Sequence, residues 1–243
     1  RIDALGSGAR WALGLVGVVG LGAFFAWQWR ARSPLLDLRL FADRTFASAS
    51  LGALLNYLAV FHATFLMPFY LEDLLHMTPG RAGLFLTAMP LLMALTATPS
   101  GHLSDRWGSR WLSAVGIAAS GVALGGLGML SATSPLPVLV GLLCLLGVGA
   151  GVFVSPNTNA LMSSAPPERQ GTAAGVMALA RNLGMLGGTS LSAALYASGH
   201  AAGMRAGLDG IAAGMGGMHL AFRVGAVLAF AGALVVLVRP RKG

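Results

Sequence analysis

The chain has 243 residues, 56% of them hydrophobic and only 10% charged, with a mean hydropathy of +0.74. An average soluble domain is about 25% charged, so this composition excludes a soluble fold with a solvated surface. A formal charge of +8 in a soluble protein would suggest nucleic acid, but these arginines stand at the ends of apolar runs, where they anchor membrane helices, and no nucleic-acid partner is expected.

Runs of about 18 or more apolar residues predict bilayer-spanning helices, because ~20 residues at ~1.5 Å rise cross a ~30 Å core. Helix is the default because a spanning segment must satisfy its own backbone hydrogen bonds. In chain order the predicted spans are 11–29, 46–71, 82–100, 111–131, 136–156, 172–197 and 219–238, an all-α membrane protein of about seven transmembrane helices. Between the first two, Leu35, Leu36, Leu38, Leu40 and Phe41 interleave with Asp37, Arg39 and Asp43, a pattern suited to a segment lying on the membrane surface. The Gly/Ala-rich stretch 199–217 is expected to be a loop or a short surface helix.

The connections after the first, third, fifth and last spans carry ten basic residues, against four in the alternate set. The positive-inside rule therefore predicts an outside N-terminus and a cytoplasmic C-terminus. Together with a start at Arg1 and no signal-peptide pattern, this suggests a fragment. Gly121 and Gly125, Gly147 and Gly151, Gly171 and Gly175, and Gly184 and Gly188 are spaced four apart, which bares one helix face for close approach. Pro68, Pro90, Pro99 and Pro156 are candidate kinks. The one cysteine, Cys144, rules out an intrachain disulfide and a Cys-based metal cluster.

Between the third and fourth spans stands Gly101-His102-Leu103-Ser104-Asp105-Arg106-Trp107-Gly108-Ser109-Arg110. Gly101 and Gly108 permit a tight turn between two helices. Asp105 can face the positive end of a neighbouring helix or pair with an arginine. Arg106 and Arg110 can supply that partner and hold the loop at the anionic leaflet. This stretch resembles the G-x-L-a-D-r-x-G-r-[KR] loop of the major facilitator superfamily. Pro34 to Phe41 followed by Arg44-Thr45-Phe46, Met67-Pro68-Phe69-Tyr70-Leu71, and Pro166 to Gly171 with Arg181-Asn182-Leu183-Gly184 resemble fourteen-span drug:proton antiporters of the EmrB/QacA type. The resemblance implies that 1–45 is the last linker helix with its cytoplasmic linker, and 46–243 the C-terminal six-helix half. It further implies a bacterial inner membrane, a small-molecule substrate, protons as coupling ion and an N-terminal half as partner.

Ionisable residues within spans are costly to bury and so are functional candidates. Arg181 lies about nine residues, or ~13 Å, into its span. Gly184 and Gly188 share its face and would leave space beside it. Arg181 is open to contact with substrate, to a carboxylate of the absent half, to snorkelling or to a structural ion pair. Asn56 and His62 are six residues apart and cannot share one face. His62 is a candidate for proton coupling or a packed, hydrogen-bonded histidine. Asn157 and Asn159 follow Pro156, where they cap broken backbone or reach substrate. Met89, Phe153 and Met177 are candidates for an adaptable apolar pocket or for helix packing. Glu72 and Asp73 mark an outer helix end. There is no Walker loop, no His/carboxylate cluster at metal-ligand spacing and no nucleophile triad, so neither an enzyme nor a cofactor is expected.

Overall fold

A computed structural model of the chain describes residues 38–131 and 133–238, together with Val19, Gly20 and Gly22. Apart from those three residues, the predicted first span lies outside the described residues, as does the linker up to residue 37. The second of two compact units, Arg39–Gly243, is a bundle of six helices without a strand among the described residues. A short 3-10 turn, Leu38–Ala42, leads into it. The helices are α1 (Arg44–Phe69), α2 (Pro79–Trp107), α3 (Ser109–Leu127), α4 (Leu136–Ser164), α5 (Gln170–Arg205) and α6 (Gly210–Leu237). They match, in order, the six predicted spans that begin at residue 46.

Local chemistry sets several of the ends. Asp43 caps α1, its Oδ1 accepting from the Phe46 N–H at 2.9 Å, and Asp209 caps α6 through Ala212 N–H at 2.7 Å. Pro79 opens α2 at a position where a missing N–H costs nothing. Pro68 cannot donate to the preceding turn, and two residues later α1 widens into a π-turn, Tyr70–Leu74, closed by Leu75 N–H to the Tyr70 carbonyl at 3.1 Å. Glu72 and Asp73 are exposed on that turn.

The stretch 199–217 is neither a loop nor a surface helix. α5 runs on to Arg205, and α6 begins at Gly210 after a turn at Gly207, where φ is 80°. The two helix ends hold each other: a Cβ on Gly199 would stand 2.6 Å from the Gly217 Cα, and one on Gly203 would stand 2.8 Å from the Ala213 Cα. Neighbouring small residues support helical extensions that composition alone reads as loop. Among the described residues, five helices are long and apolar enough to cross a membrane. α5 has 36 residues, but glycines, polar side chains and Arg181 dilute its apolar content.

α1 and α4 pack together at the centre, α1 flanked by α5 and α4 by α2; α3 and α6 lie behind, against each other and against α4 and α1 respectively. The contacts are made through glycine. A Cβ on Gly116 of α3 would meet the Gly149 carbonyl of α4 at 2.8 Å, and one on Gly149 would meet the Gly116 carbonyl at 2.7 Å. Gly147 seats on the Met89 backbone and Gly151 on Met93, joining α4 to α2. Three of the four expected glycine pairs meet a neighbouring helix; Gly171 and Gly175 face open space. Burial is uneven. α2 buries only Ala82, Ser100 and Ser104, and α5 only Ala173, Val176, Gly184, Gly188 and Ser192.

Replacing Gly149 by Ala forces a methyl against backbone and is expected to cost about 1–3 kcal/mol. Gly141→Ala, with nothing within 4 Å of the added atom, is expected to be neutral or to stabilise by up to ~1 kcal/mol through helix propensity. Thermal unfolding in detergent compares the two, and equal midpoints would show that the close contact is unimportant. Gly108, at φ 85° and ψ 135°, lies in a region closed to other residues. Gly108→Ala is expected to lower stability by about 1–3 kcal/mol although the space beside it is open.

Candidate functional site

The first candidate is the turn between α2 and α3. Residues Gly101 to Trp107 complete α2, and the chain reverses at Gly108. Gly101 does not form the turn expected of it. It is helical, and a Cβ there would stand 2.7 Å from Ser155 Oγ of α4, so its bareness serves helix approach. Leu103 is half-buried and Arg106 exposed. Asp105 is exposed at a cleft of about 470 Å³ that Ser104, Ser109, Asn159, Ser163 and Gln170 also line. Gln170 is the first residue of α5, so the carboxylate shares its cleft with the positive end of that helix. Among the described residues Asp105 pairs with neither Arg106 nor Arg110. Instead the Arg110 guanidinium lies 5.7 Å from the Trp111 ring centroid, with its Nε buried and unpartnered.

The second candidate lies on α1 and α5. Arg181 is exposed on α5, and its guanidinium lies near the Tyr57 side chain of α1. The space expected beside it at Gly184 and Gly188 is occupied by α1. A Cβ at Gly184 would stand 2.6 Å from Tyr57 Cβ and 2.8 Å from the Leu54 carbonyl, and one at Gly188 would stand 2.6 Å from the Leu58 carbonyl. The glycine stripe brings α5 close enough for Arg181 to reach Tyr57. Tyr57 escaped the sequence reading because one hydroxyl in an apolar run carries no periodic signal.

The remaining candidates are spread through the bundle. Asn56 is buried with its Oδ1 unpartnered. His62 is fully buried, its Nδ1 lying 2.8 Å from the Leu58 carbonyl, and Gly225 of α6 abuts its ring. Phe153 is buried in the contact of α4 with α1 and α3, between Gly52 and Gly116. Asn157 Nδ2 donates to the Ala49 carbonyl at 2.9 Å and ties α4 to α1. Met89 and Met177 are half-buried on α2 and α5. Asp105 and Asn159 come together at one cleft. Arg181 does not join them, standing eleven residues into α5, or ~16 Å from its start. Among the described residues no three His, Cys, Asp or Glu side chains gather as metal ligands, and Cys144 is a free, half-buried thiol.

Comparison with known proteins bears on the whole bundle. Residues 49–243 match the family model described as Major Facilitator Superfamily. The riboflavin transporter RibZ of Clostridioides difficile is 35% identical over 162 residues, covering 67% of this chain and 36% of that protein. A multidrug resistance protein B homolog of Mycobacterium tuberculosis is 28% identical over 184 residues, 74% of this chain and 34% of its own. The methyl viologen resistance protein SmvA of Salmonella typhimurium is 28% identical over 197 residues, 80% of this chain and 40% of its own. These matches therefore span only about a third to two fifths of the relatives' length. The family match and the apolar helical bundle agree that the chain belongs to the major facilitator superfamily, as a multi-pass membrane protein of a transporter family and not an enzyme.

Proposed function

We propose that the chain is the C-terminal part of a proton-coupled exporter of amphipathic or cationic small molecules, of the fourteen-span type, in a bacterial inner membrane. The observation that carries this reading is the uneven burial. α1 and α4 are packed on both flanks, while α2 and α5 leave Leu84, Leu91, Leu95, Leu179, Leu183 and Leu186 exposed. An N-terminal half laid across α2 and α5 would roof a cavity over α1 and α4. Rocking the two halves would then open that cavity to each side in turn.

In this arrangement Arg181, beside Tyr57, presents a cation at the cavity edge. It engages an anionic group on substrate or a carboxylate of the other half. The α2–α3 turn lies on the cytoplasmic side, as the positive-inside count requires. There Asp105, set against the N-terminal end of α5, latches the side that closes during export. The names of the Mycobacterium and Salmonella relatives support resistance by efflux. The name of the Clostridioides relative supports a second reading, the same fold carrying a vitamin-like solute.

In the whole transporter, Arg181→Ala is expected to lower efflux of a cationic dye about tenfold or more at unchanged membrane abundance, the loss of a charge-assisted hydrogen bond. Tyr57→Phe keeps the ring and removes only the partner, so a smaller loss is expected. Full efflux by Arg181→Ala would remove this residue from the site. Asp105→Asn is expected to slow turnover about two- to fivefold, the range of one charge at a helix end, without changing membrane insertion. Unchanged turnover would eliminate the latch.

A further inference from the structure

Arg110 is a cation held in place without a counterion. It is the second residue of α3, half-buried, and its guanidinium carbon lies 5.7 Å from the Trp111 ring centroid. Its Nε is enclosed and unpartnered. The two terminal amino groups are neither enclosed nor hydrogen-bonded to any described residue, so they open on the surface. No carboxylate among the described residues pairs with them.

The surface in question is the outer side of α3. This helix packs on α4 through Gly116 and on α6 through Ile117 and Gly121. Trp111, Val115 and Val122 fall on the opposite stripe and are 56%, 59% and 55% exposed. That stripe points away from the bundle, and it lies on neither of the bare helices α2 and α5. The 19 residues of α3 span ~28 Å, close to the apolar thickness of a bilayer. Its first turn therefore stands at the water boundary. Trp111 heads the stripe there, with an apolar ring and an indole N–H donor, as tryptophans of an interfacial belt do. The positive-inside count puts this end at the cytoplasmic leaflet, whose surface is anionic.

Charge and apolar surface together select the occupant. A free anion at exposed donors is screened by salt and leaves the stripe uncovered. A phospholipid meets both demands. Its phosphate oxygens accept from the terminal amino groups of Arg110, and its acyl chain covers the valines.

We propose that Arg110 and Trp111 form a binding site for the headgroup of an anionic phospholipid, with an acyl chain along Val115 and Val122. The ring beside the guanidinium and the enclosed Nε hold the fork in one place, so little freedom is lost when phosphate arrives. The site adjoins the Gly108 turn, and its occupation steadies the first turn of α3 beside Asp105. Binding is a property of this face and stands apart from the transport reading.

The test uses the whole transporter in detergent, titrated with dioleoylphosphatidylglycerol or dioleoylphosphatidylcholine and read by native mass spectrometry. The glycerol lipid is expected to bind more tightly. Arg110→Gln is expected to lower its affinity about fivefold, the effect of one basic residue at an anionic surface. Arg110→Lys keeps the charge without the fork and is expected to lose less. Arg44→Gln removes the same charge from the exposed start of α1 and is expected to change nothing. Equal binding of the two lipids, or equal losses in Arg110→Gln and Arg44→Gln, would overturn the site. Displacement of the lipid by millimolar inorganic phosphate would assign the donors to a free anion and overturn it too. If Arg110→Gln does not fold, wild-type protein carries the test. Phosphatidylglycerol with a photoreactive acyl chain is expected to label residues between 111 and 122, and labelling confined to other helices overturns the proposal.

Discussion

At the crossing of α3 and α4, the carbonyl oxygens of Gly116 and Gly149 each occupy the place where the other residue's Cβ would stand. Lipid tails are as apolar as leucine, so water exclusion gives helices inside a bilayer little reason to prefer each other to lipid. Association depends on dispersion and weak polar contacts that grow as backbones approach. Each close crossing in this bundle is made that way. Gly147 and Gly151 bring α4 onto α2, Gly184 and Gly188 bring α5 onto α1, and Gly232 accepts Ile117 and Leu55. The candidate side chains inherit their positions from these crossings. Arg181 reaches Tyr57 because Gly184 lets α5 descend on α1, and His62 is sealed because Gly225 lets α6 do the same.

Much of this is visible in the residue order. Six spans follow from apolar runs alone, and the α2–α3 turn follows from Gly108 with charged residues around it. The glycine pairs marked most of the close contacts. What stayed hidden was direction. In a soluble helix the polar face points outward, so periodicity tells core from surface. Here lipid-facing and protein-facing positions are both apolar, and Leu84 at 75% exposure looks the same in sequence as the buried Leu146. Gly101 illustrates the loss. Its place in a loop-like motif suggested a turn, yet it is a helix contact, because a glycine needed for its missing side chain and one needed for its backbone freedom are written with the same letter.

Polar atoms inside such a bundle are few, and their satisfaction separates fixed points from movable ones. Asn157 donates across to the Ala49 carbonyl, and Tyr70 and His219 reach the carbonyls at the end of α3. These bonds pin α1 to α4, and tie the end of α1 and His219 of α6 to the segment that follows α3. Along α1, Asn56 Oδ1 and His62 Nε2 are left without partners, as is Ser192 on the facing helix. An unmade bond in a medium of low dielectric costs about 1–3 kcal/mol, comparable to the differences that separate conformers in a working equilibrium. The bonded groups hold the framework. The unbonded ones favour whichever state completes them.

α2 and α5 are bare for a physical reason. A helix with three buried residues, such as α2, gains little from its own unit beyond the glycine contacts of α4. Were that face built only for lipid, polar groups at its edge would be an expense without return. Yet Arg181 stands on exposed α5 with a phenol as its neighbour, and an uncharged neighbour leaves its charge uncancelled. A guanidinium offers five donors in a fixed fork, and one phenol occupies only part of it. Its remaining donors can serve an anionic or acceptor group.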